Sequence, residues 1–373
     1  MKILYFINQI ENSGGIERIV IDKVNYLAQL TNNEIHMVYY GADGTKSFYP
    51  IDDAVKLWAI NINSDTHSFF KKILSIKAIY WKVRKIIDGI RPDVIVNANT
   101  RIVSYFLPLI YKRTPKVVEL HFTYEGLQIM NEEIYGRKSW KSAINNWLRR
   151  FFYSKYSRCV VLVNDDKKAW KFKNIVVIPN FTNISYSPQY VSKREKIVIN
   201  VGRLEKQKDQ EMLINAWKIV HKKCPEWRLE IWGGGSLKEK LQLQIKRLGL
   251  DKSVFLMGQT QQIAKEYSKA SIFALSSKYE GMPLVAIEAM TAGVPCVSFD
   301  ISGIRDVIFD GNDGIIVPQH TSEALAKELV CLIEDETLRA NMSEKSIQKI
   351  QKFDKSVVMD MWIKLFESLQ LDA

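Results

Sequence analysis

Residues 271–299 read SIFALSSKYEGMPLVAIEAMTAGVPCVSF, and this stretch decides the class of fold. Its two short apolar runs, 271–275 and 295–299, have the length and composition of buried β-strands. Between them, Pro283 suits the first position of a helix and Gly293 suits its end, which predicts a helix of about ten residues. The stretch therefore predicts a strand, a helix and a second strand, the pattern of a parallel sheet.

The same alternation of short strands and helix-length segments runs through the rest of the chain. The other predicted strands share a high content of Val and Ile: 2–7, 34–40, 55–60, 93–97, 116–121, 158–163, 174–178, 196–201, 227–232 and 253–258. Such strands indicate parallel sheets covered by helices on both faces. The alternation pauses at 179–180, and the polar stretch 181–194 has no clear periodicity. We therefore expect two doubly wound α/β domains, residues 1–185 and 186–353, with a linker between them.

Composition and charge limit the class of protein. Of the 373 residues, 47% are hydrophobic and 25% are charged, which is typical of a globular protein and excludes wholesale disorder. The net charge of +12 is concentrated in residues 1–185, which carry +11. This asymmetry indicates an anionic partner: nucleic acid, a phospholipid surface or a phosphate-bearing substrate. The absence of a signal peptide and of an apolar run of about 18 residues, with four well-separated cysteines, predicts a cytosolic protein.

Three strand-to-helix turns are candidate anion sites, because ligands of doubly wound sheets bind beyond the carboxyl ends of the strands. The first, residues 12–15, ends in two glycines at a helix start, where free N–H groups can bind an anion. The second, residues 202–208, carries Arg203 and Lys208, whose charges suit a diphosphate. The third is the turn at Gly233. A Gly pair alone is more often a plain turn, a solvated basic loop explains residues 202–208 as well, and none of the three has the dinucleotide or P-loop glycine pattern.

Two acidic residues flank the start of the helix predicted within 283–293. Glu280 lies in the loop before this helix, and Glu288 lies on its second turn. A carboxylate beside the free N–H groups of a helix start can orient sugar hydroxyls, and one further along can bind the two hydroxyls of a ribose. A surface acid and a helix-stabilising acid explain the same spacing equally well.

Glu280 and Glu288, in E-G-M-P-L-V-A-I-E, resemble the EX7E motif of retaining glycosyltransferases of family 4. The resemblance covers essentially the whole chain, because further features match in order: the Gly-Gly turn, His121 after a strand, Ile178-Pro179-Asn180, the 202–208 loop and the Gly233 turn. It implies the GT-B fold, α/β, with two Rossmann-like domains facing a central cleft. Residues 354–373 would form a helix that returns to the first domain. The family members that the chain resembles build bacterial capsular, exopolysaccharide or lipopolysaccharide chains.

The resemblance also implies roles for the matching residues. Arg203 and Lys208 would neutralise the nucleotide diphosphate. Glu288 would hydrogen-bond the ribose, Glu280 would hold the donor sugar, and His121 would contact the donor sugar or the acceptor. The catalytic residues implied are Glu280, His121, Arg203 and Lys208. The substrate-binding residues implied are Gly14, Gly15, Arg203, Lys208, Gly233, Leu256, Met257, Glu280, Gly281, Met282, Leu284 and Glu288.

The resemblance predicts transfer of a sugar from a nucleotide sugar, with a UDP-hexose or UDP-N-acetylhexosamine as the expected donor, to a glycan or lipid-linked saccharide. Preorganised cations and N–H groups would stabilise the charge that develops on the departing diphosphate. No His or Cys cluster has metal-ligand spacing and no DXD signature is present, so neither a metal nor another cofactor is expected. Retention of configuration is implied by the resemblance.

Two other functions remain open from the residues. A nucleotide-sugar epimerase or a phosphorylase of the same fold would share the phosphate-binding loops. A nucleic-acid-binding protein would explain the basic and aromatic first half, but no DNA- or RNA-recognition motif is present. Nucleic acid is therefore not an expected partner.

Two segments concentrate the positive charge of the first half. Residues 67–87 carry six basic residues and residues 137–158 carry seven, both without an acid and with apolar residues between them. Packing of the apolar faces on the first domain's sheet explains these residues at least as well as contact with lipid. The basic faces predict binding to an anionic membrane surface, which would suit an acceptor linked to polyprenyl diphosphate. We expect a cytoplasmic protein held peripherally at the inner face of the cytoplasmic membrane.

Overall fold

The computed structural model describes residues 1–30, 32–62, 69–98, 101–136, 139–184 and 194–371. In the helix that begins at residue 69, the side chains are described from residue 73 onwards. The chain divides into two compact units. The first consists of Met1–Pro179 together with Val358–Ala373, and the second of Asn180–Val357. The border predicted at 185/186 falls on residues 185–193, which lie outside the described residues.

The first unit contains a seven-stranded parallel sheet in the order β3-β2-β1-β4-β5-β6-β7. Its strands are β1 (Lys2–Ile7), β2 (Glu34–Tyr40), β3 (Lys56–Ile60), β4 (Val94–Asn97), β5 (Lys116–Leu120), β6 (Arg158–Val161) and β7 (Ile175–Val177). The helices are α1 (Gly15–Ala28), α2 (Phe69–Ile90), α3 (Val103–Phe106), α4 (Tyr124–Tyr135), α5 (Trp140–Tyr153) and α6 (Asn164–Trp170). The central strands β1, β4 and β5 are almost wholly buried because helices cover both faces.

The second unit contains a six-stranded parallel sheet in the order β10-β9-β8-β11-β12-β13. Its strands are β8 (Ile197–Val201), β9 (Arg228–Trp232), β10 (Val254–Gly258), β11 (Ile272–Leu275), β12 (Cys296–Phe299) and β13 (Gly314–Val317). Its helices are α7 (Gln210–Lys223), α8 (Lys238–Arg247), α9 (Ile263–Lys269), α10 (Leu284–Thr291), α11 (Ser322–Glu334) and α12 (Glu336–Ile350). The strand order reverses direction beside β8, which places the loops after β8 and β11 at the switch point where such sheets bind ligands.

The last helix, α13 (Lys355–Leu371), begins in the second unit and belongs to the first from Val358 onwards. Its apolar face is buried at Val358, Met359, Trp362, Leu365, Phe366 and Leu369. The predicted fold class, two Rossmann-like α/β domains, is confirmed. No helix within the described part of the chain is both long enough and apolar enough to cross a bilayer.

One strand, β13, was not predicted from the sequence. β13 has four residues and pairs in register with β12 at the edge of the second sheet. Its Gly-Ile-Ile-Val run has four residues and begins at Gly314, which also forms an isolated bridge with Asp310, so the run was too short to be predicted as a strand. The helix predicted between Pro283 and Gly293 is also shorter than expected, because Pro283 occupies the N-cap and α10 has eight residues.

The two basic segments differ in what covers their apolar residues. In α2, one face is buried against the first unit at Ile79, Val83, Ile86, Ile87 and Ile90, whereas Ile73, Leu74 and Trp81 are exposed. In α5, the expectation that the apolar face packs on the sheet is wrong for one row of side chains. These side chains are exposed, and we call them the α5 stripe: Trp140, Ile144, Trp147 and Phe151. Residues 67, 68, 137 and 138 of the predicted segments lie outside the described residues.

Candidate functional site

Lys208 and Glu280 meet at the carboxyl edge of the second sheet. Lys208 lies in the loop between β8 and α7, and Glu280 lies in the loop between β11 and α10. The Lys208 Nζ is 2.5 Å from Glu280 Oε1, and this oxygen also accepts a hydrogen bond of 2.6 Å from Ser277 Oγ. Both side chains are largely buried, so the pair lies in a medium where charge interactions are stronger than in water.

Three hydrogen bonds to backbone carbonyls hold these two loops together. The Gln207 Nε2 donates to the carbonyl of Tyr279 at 2.9 Å, and the Lys278 N–H donates to the carbonyl of Gln207 at 2.9 Å. Ser276 Oγ donates to the carbonyl of Lys208 at 2.8 Å. Because hydrogen bonds run in both directions between the loops, the positions of Lys208 and Glu280 are set by the fold rather than by their ion pair alone.

Arg203 is placed by two glycine turns that touch each other. A Cβ at Gly233, where φ is +143°, would lie 2.0 Å from the carbonyl oxygen of Gly202. The Leu204 N–H donates to the carbonyl of Gly234 at 2.9 Å, which fixes the chain directly after Arg203. The Arg203 side chain is 49% exposed and pairs with Glu205 at 3.2 Å. Its guanidinium is therefore accessible to an anion from solvent.

Leu256 and Met257, predicted to lie in a turn, lie instead near the end of β10, next to the Gly233 turn. The Gly233 N–H donates to the carbonyl of Gly258 at 2.7 Å, at a point where the pairing of β10 with β9 shifts register. Leu256 is half-buried and Met257 is exposed. The structure thus brings four of the predicted segments to one edge of the second sheet: the 202–208 loop, the Gly233 turn, the end of β10 and the loop with Glu280.

Glu288 lies on the second turn of α10 and is buried. Its Oε2 accepts a hydrogen bond of 3.3 Å from the hydroxyl of Tyr267, which also contacts the carbonyl of Val285. Tyr267 lies on α9 and was missed by the sequence analysis. Its partner is 21 residues away on another helix, and no local spacing reports such a contact.

The segment before α10 is held by its neighbours in the second unit. The Asn180 Nδ2 donates to the carbonyl of Met282 at 3.2 Å, which gives the Ile178-Pro179-Asn180 motif a physical role. Gly303 lies so close that a Cβ there would be 2.6 Å from the carbonyl oxygen of Gly281. Leu284 is the first residue of α10. The N–H groups at this helix start therefore have a fixed direction.

The first unit contains the remaining predicted site residues. Gly14 is the N-cap of α1 and Gly15 is its first residue. The carboxylate of Glu17 occupies the space beside Gly14 that a Cβ would take. His121 follows β5 directly and is buried, with its Nε2 3.6 Å from Glu119 Oε1.

Next to His121 lies a buried charged cluster that was not predicted from the sequence. Glu119 accepts a short hydrogen bond from Lys23 Nζ, and both side chains are almost wholly buried. The Lys23 ammonium also lies 4.3 Å from the ring centroid of Trp362 on α13. Glu119 Oε2 and His121 Nε2 have no hydrogen-bond partner. The alternation of β5 places Glu119 and His121 on one face of the strand, and this is the signal that was overlooked.

Burial lowers the pKa of His121 from 6.5 to about 4, against an opposing effect of Glu119. We expect its imidazole to stay neutral down to about pH 5, which ring-proton NMR with His121→Gln for assignment would measure. Between these two pKa values the unfolded chain binds more protons at His121 than the folded chain does. The free energy of unfolding therefore decreases as the pH falls through that window. Titration of His121 near pH 6.5 would contradict its burial.

Comparison with known proteins identifies the domains. Residues 13–186 match the family model "Glycosyltransferase Family 4", and residues 185–349 match "Glycosyl transferases group 1". The chain is 27% identical to a Campylobacter jejuni enzyme named as the α-1,4-N-acetyl-D-galactosaminyltransferase of GalNAc-α-(1→4)-GalNAc-α-(1→3)-diNAcBac-PP-undecaprenol, over 99% of both chains. It is 26% identical to the amylovoran biosynthesis glycosyltransferase AmsD of Erwinia amylovora, over 97% of this chain and 98% of that one.

A solved structure has the same fold. It is a mutant of Staphylococcus aureus TarM in complex with fondaparinux, α-GlcNAc-glycerol and UDP, with a TM-score of 0.79 and 17% sequence identity, covering 98% of this chain and 99% of that one. At this identity the match concerns the fold alone. With the two family models spanning both units, the chain belongs to the glycosyltransferases of the GT-B fold, with a family 4 domain followed by a group 1 domain.

Proposed function

We propose that the protein transfers a sugar from a UDP-sugar to a lipid-linked saccharide, with retention of configuration, during the assembly of a bacterial polysaccharide. The Lys208–Glu280 ion pair carries this proposal, because it places a cation and a carboxylate side by side at the switch point of the second sheet. Donor transfer requires both: a cation for the departing diphosphate and oriented oxygens around the sugar.

On donor binding, the diphosphate would become a partner of the Lys208 ammonium beside Glu280 or in its place. In the structure, the ammonium of Lys208 binds Glu280. A diphosphate in reach of Lys208 and Arg203 would share or take this ammonium, and Glu280 would then be available to the hydroxyls of the donor sugar. Charge on the leaving diphosphate grows in the transition state, so these cations stabilise the transition state more than the bound donor. Glu288 would hold the ribose, with Tyr267 fixing its carboxylate. No metal is needed for these steps.

The relatives support the chemistry of donor and acceptor. The name of the Campylobacter enzyme includes a saccharide linked to PP-undecaprenol, and that of the Erwinia enzyme includes amylovoran biosynthesis. The TarM crystals contain UDP. A UDP-hexose or UDP-N-acetylhexosamine donor and a polyprenyl-diphosphate-linked acceptor are the corresponding proposal for this chain.

Calorimetry with UDP and a UDP-sugar tests the proposal and separates the two carboxylates. We expect UDP to bind the native protein and Glu288→Ala to lose about tenfold or more in UDP affinity, since a carboxylate that binds two hydroxyls is removed. Glu280→Ala should retain UDP affinity and lose turnover. Ser277→Ala, which removes a hydrogen bond to Glu280 but leaves its carboxylate in place, is the matched control. Binding of GDP-sugars but not of UDP-sugars would contradict the assignment. So would an equal loss of UDP affinity in Glu288→Ala and Glu280→Ala.

We further propose that the protein works at the inner face of the cytoplasmic membrane, bound peripherally to anionic lipid. The first half of the chain carries +11, and the exposed α5 stripe lies among basic residues on the same helix. Each Lys or Arg near an anionic leaflet contributes about 1 kcal/mol, and exposed Trp side chains suit the interface. This location would bring the enzyme to a lipid-linked acceptor.

A further inference from the structure

A cavity of about 340 Å³ opens in the first unit, apart from the residues described above. We call it the lysine pocket, and it is lined by Pro108, Leu109, Lys112, Lys116, Lys155 and Ser157. Lys116 is the first residue of β5, whereas His121 follows the last. Five residues of extended strand span about 16 Å. The lysine pocket and His121 therefore lie at opposite edges of the first sheet.

Lys116 is a buried cation without a carboxylate partner. Its residue is 4% exposed, and its Nζ donates to the carbonyls of Tyr111 and Thr114, each at 2.7 Å. These carbonyls solvate the ammonium but carry no net charge, and an ammonium has a third proton to donate. Burial lowers the pKa of Lys116 to about 8, and no carboxylate opposes this effect. An anion beside Lys116 would offset the cost of burying its charge.

The other two lysines of the pocket are exposed at its mouth. Within the part of the chain that the structure describes, Lys112, Lys116 and Lys155 form no ion pair with a carboxylate. Three ammonium groups around one cavity repel one another, and an anion among them removes this repulsion. Ser157, whose Oγ accepts a hydrogen bond of 3.0 Å from the Lys116 N–H, adds a hydroxyl that can donate to such an anion.

The border of the lysine pocket is apolar and continuous with the α5 stripe. Leu109 is exposed beside the lysines. The Lys155 Nζ lies 5.3 Å from the ring centroid of Phe151, and Phe151 stacks on Trp147 with their centroids 5.7 Å apart. Trp147 is 62% exposed. A free phosphate ion needs no apolar border, whereas a phospholipid presents a phosphate and an apolar region together.

We propose that the lysine pocket binds the phosphate of an anionic phospholipid headgroup, with Leu109 and the α5 stripe in contact with the bilayer beside it. This proposal rests on the membrane location given under the proposed function and names the site and the ligand group. The bound phosphate would be contacted by Lys112 and Lys155 from the mouth and by Lys116 from below. It is distinct from the donor diphosphate, which the loops of the second unit would bind.

Vesicle flotation of the full chain tests the site. The probes are vesicles of phosphatidylcholine with and without phosphatidylglycerol, and the variant is Lys112→Gln/Lys155→Gln. Both lysines are exposed, so the variant should fold, which its unfolding midpoint checks. The matched control, Lys167→Gln/Lys168→Gln, removes the same charge from two exposed lysines of α6 in the same unit. We expect the pocket variant to lose about tenfold or more in binding to the anionic vesicles, and the control less than about threefold.

The possible outcomes separate the pocket from the location. Equal losses in the two variants would overturn the lysine pocket and leave diffuse charge attraction as the cause of membrane binding. Failure of the native protein to prefer anionic vesicles would overturn the location and the pocket together, without bearing on UDP binding. Inorganic phosphate that displaces the protein from vesicles at lower concentration than glycerol phosphate would assign the pocket to free phosphate. Protection of Lys112 and Lys155 from acetylation by anionic vesicles, but not of Lys167 and Lys168, would support the proposal.

Discussion

Replacing Lys208 with alanine is expected to lower kcat/KM about 10²-fold or more. The variant removes the cation that would face the leaving diphosphate in the proposed reaction, and Lys208 is partly buried, where water compensates poorly for a lost charge. Arg203→Ala should have an effect of similar size by the same argument, although its side chain is more exposed. Initial rates of UDP release in the presence of acceptor measure both variants.

Lys206→Ala is the matched control for this experiment. Lys206 lies in the same 202–208 loop and carries the same charge, but it is exposed. Its loss therefore reports the general charge of the loop, and we expect a change of less than about threefold, in line with screened surface charges. An unfolding midpoint for each variant shows whether Glu280, left without Lys208, destabilises the unit. Unchanged turnover in both Lys208→Ala and Arg203→Ala would refute the assignment of this loop to the diphosphate.

The fold was predictable because its signals are local. Each of the twelve predicted strands forms, with ends displaced by no more than two residues, since short Val- and Ile-rich runs between helix-length segments specify a buried parallel sheet. β13 was missed because four residues at a sheet edge carry no periodic pattern. For helices, the capping residues around α10 gave its position but not its length.

The candidate site was predictable only as a set of loops. Glycine turns and the two glutamates could be identified from spacing, and the structure places the second unit's members at one sheet edge. What spacing does not report is contact between distant segments. Lys208 and Glu280 are separated by 72 residues, and Lys23 and Glu119 by 96. The partners arise from strand order, which one sequence does not encode locally.

The exposure of the α5 stripe was not predictable from the sequence, for a different reason. Helical spacing of Trp140, Ile144, Trp147 and Phe151 was correctly read as an apolar face. Spacing alone does not say whether such a face packs on a sheet or remains exposed, because both arrangements have the same periodicity. In the first unit these side chains are exposed, and the helix buries Ser142 and Tyr153 instead.

Loss of Lys23 is expected to destabilise the first unit strongly. Lys23→Met leaves Glu119 buried without its cation, and breaking one side of a buried ion pair costs about 3–5 kcal/mol. The pair joins α1 to β5, and the same ammonium contacts Trp362 on α13. Native-state hydrogen exchange should therefore show faster exchange in peptides of α1, β5 and α13, which report local opening of this unit.

A second substitution distinguishes an unpaired charge from a simple loss of packing. In Lys23→Met/Glu119→Gln the carboxylate is also removed, so the double variant should recover most of the lost stability even though it contains one more change. Lys56→Met, which breaks an exposed pair with Glu34 in the same sheet, controls for removing any lysine of the unit and should have little effect. If the double variant is as unstable as Lys23→Met, the ion pair is not the cause, and Lys23 stabilises the fold through its contact with Trp362 instead. The buried pair would then have no role in holding Glu119 beside His121.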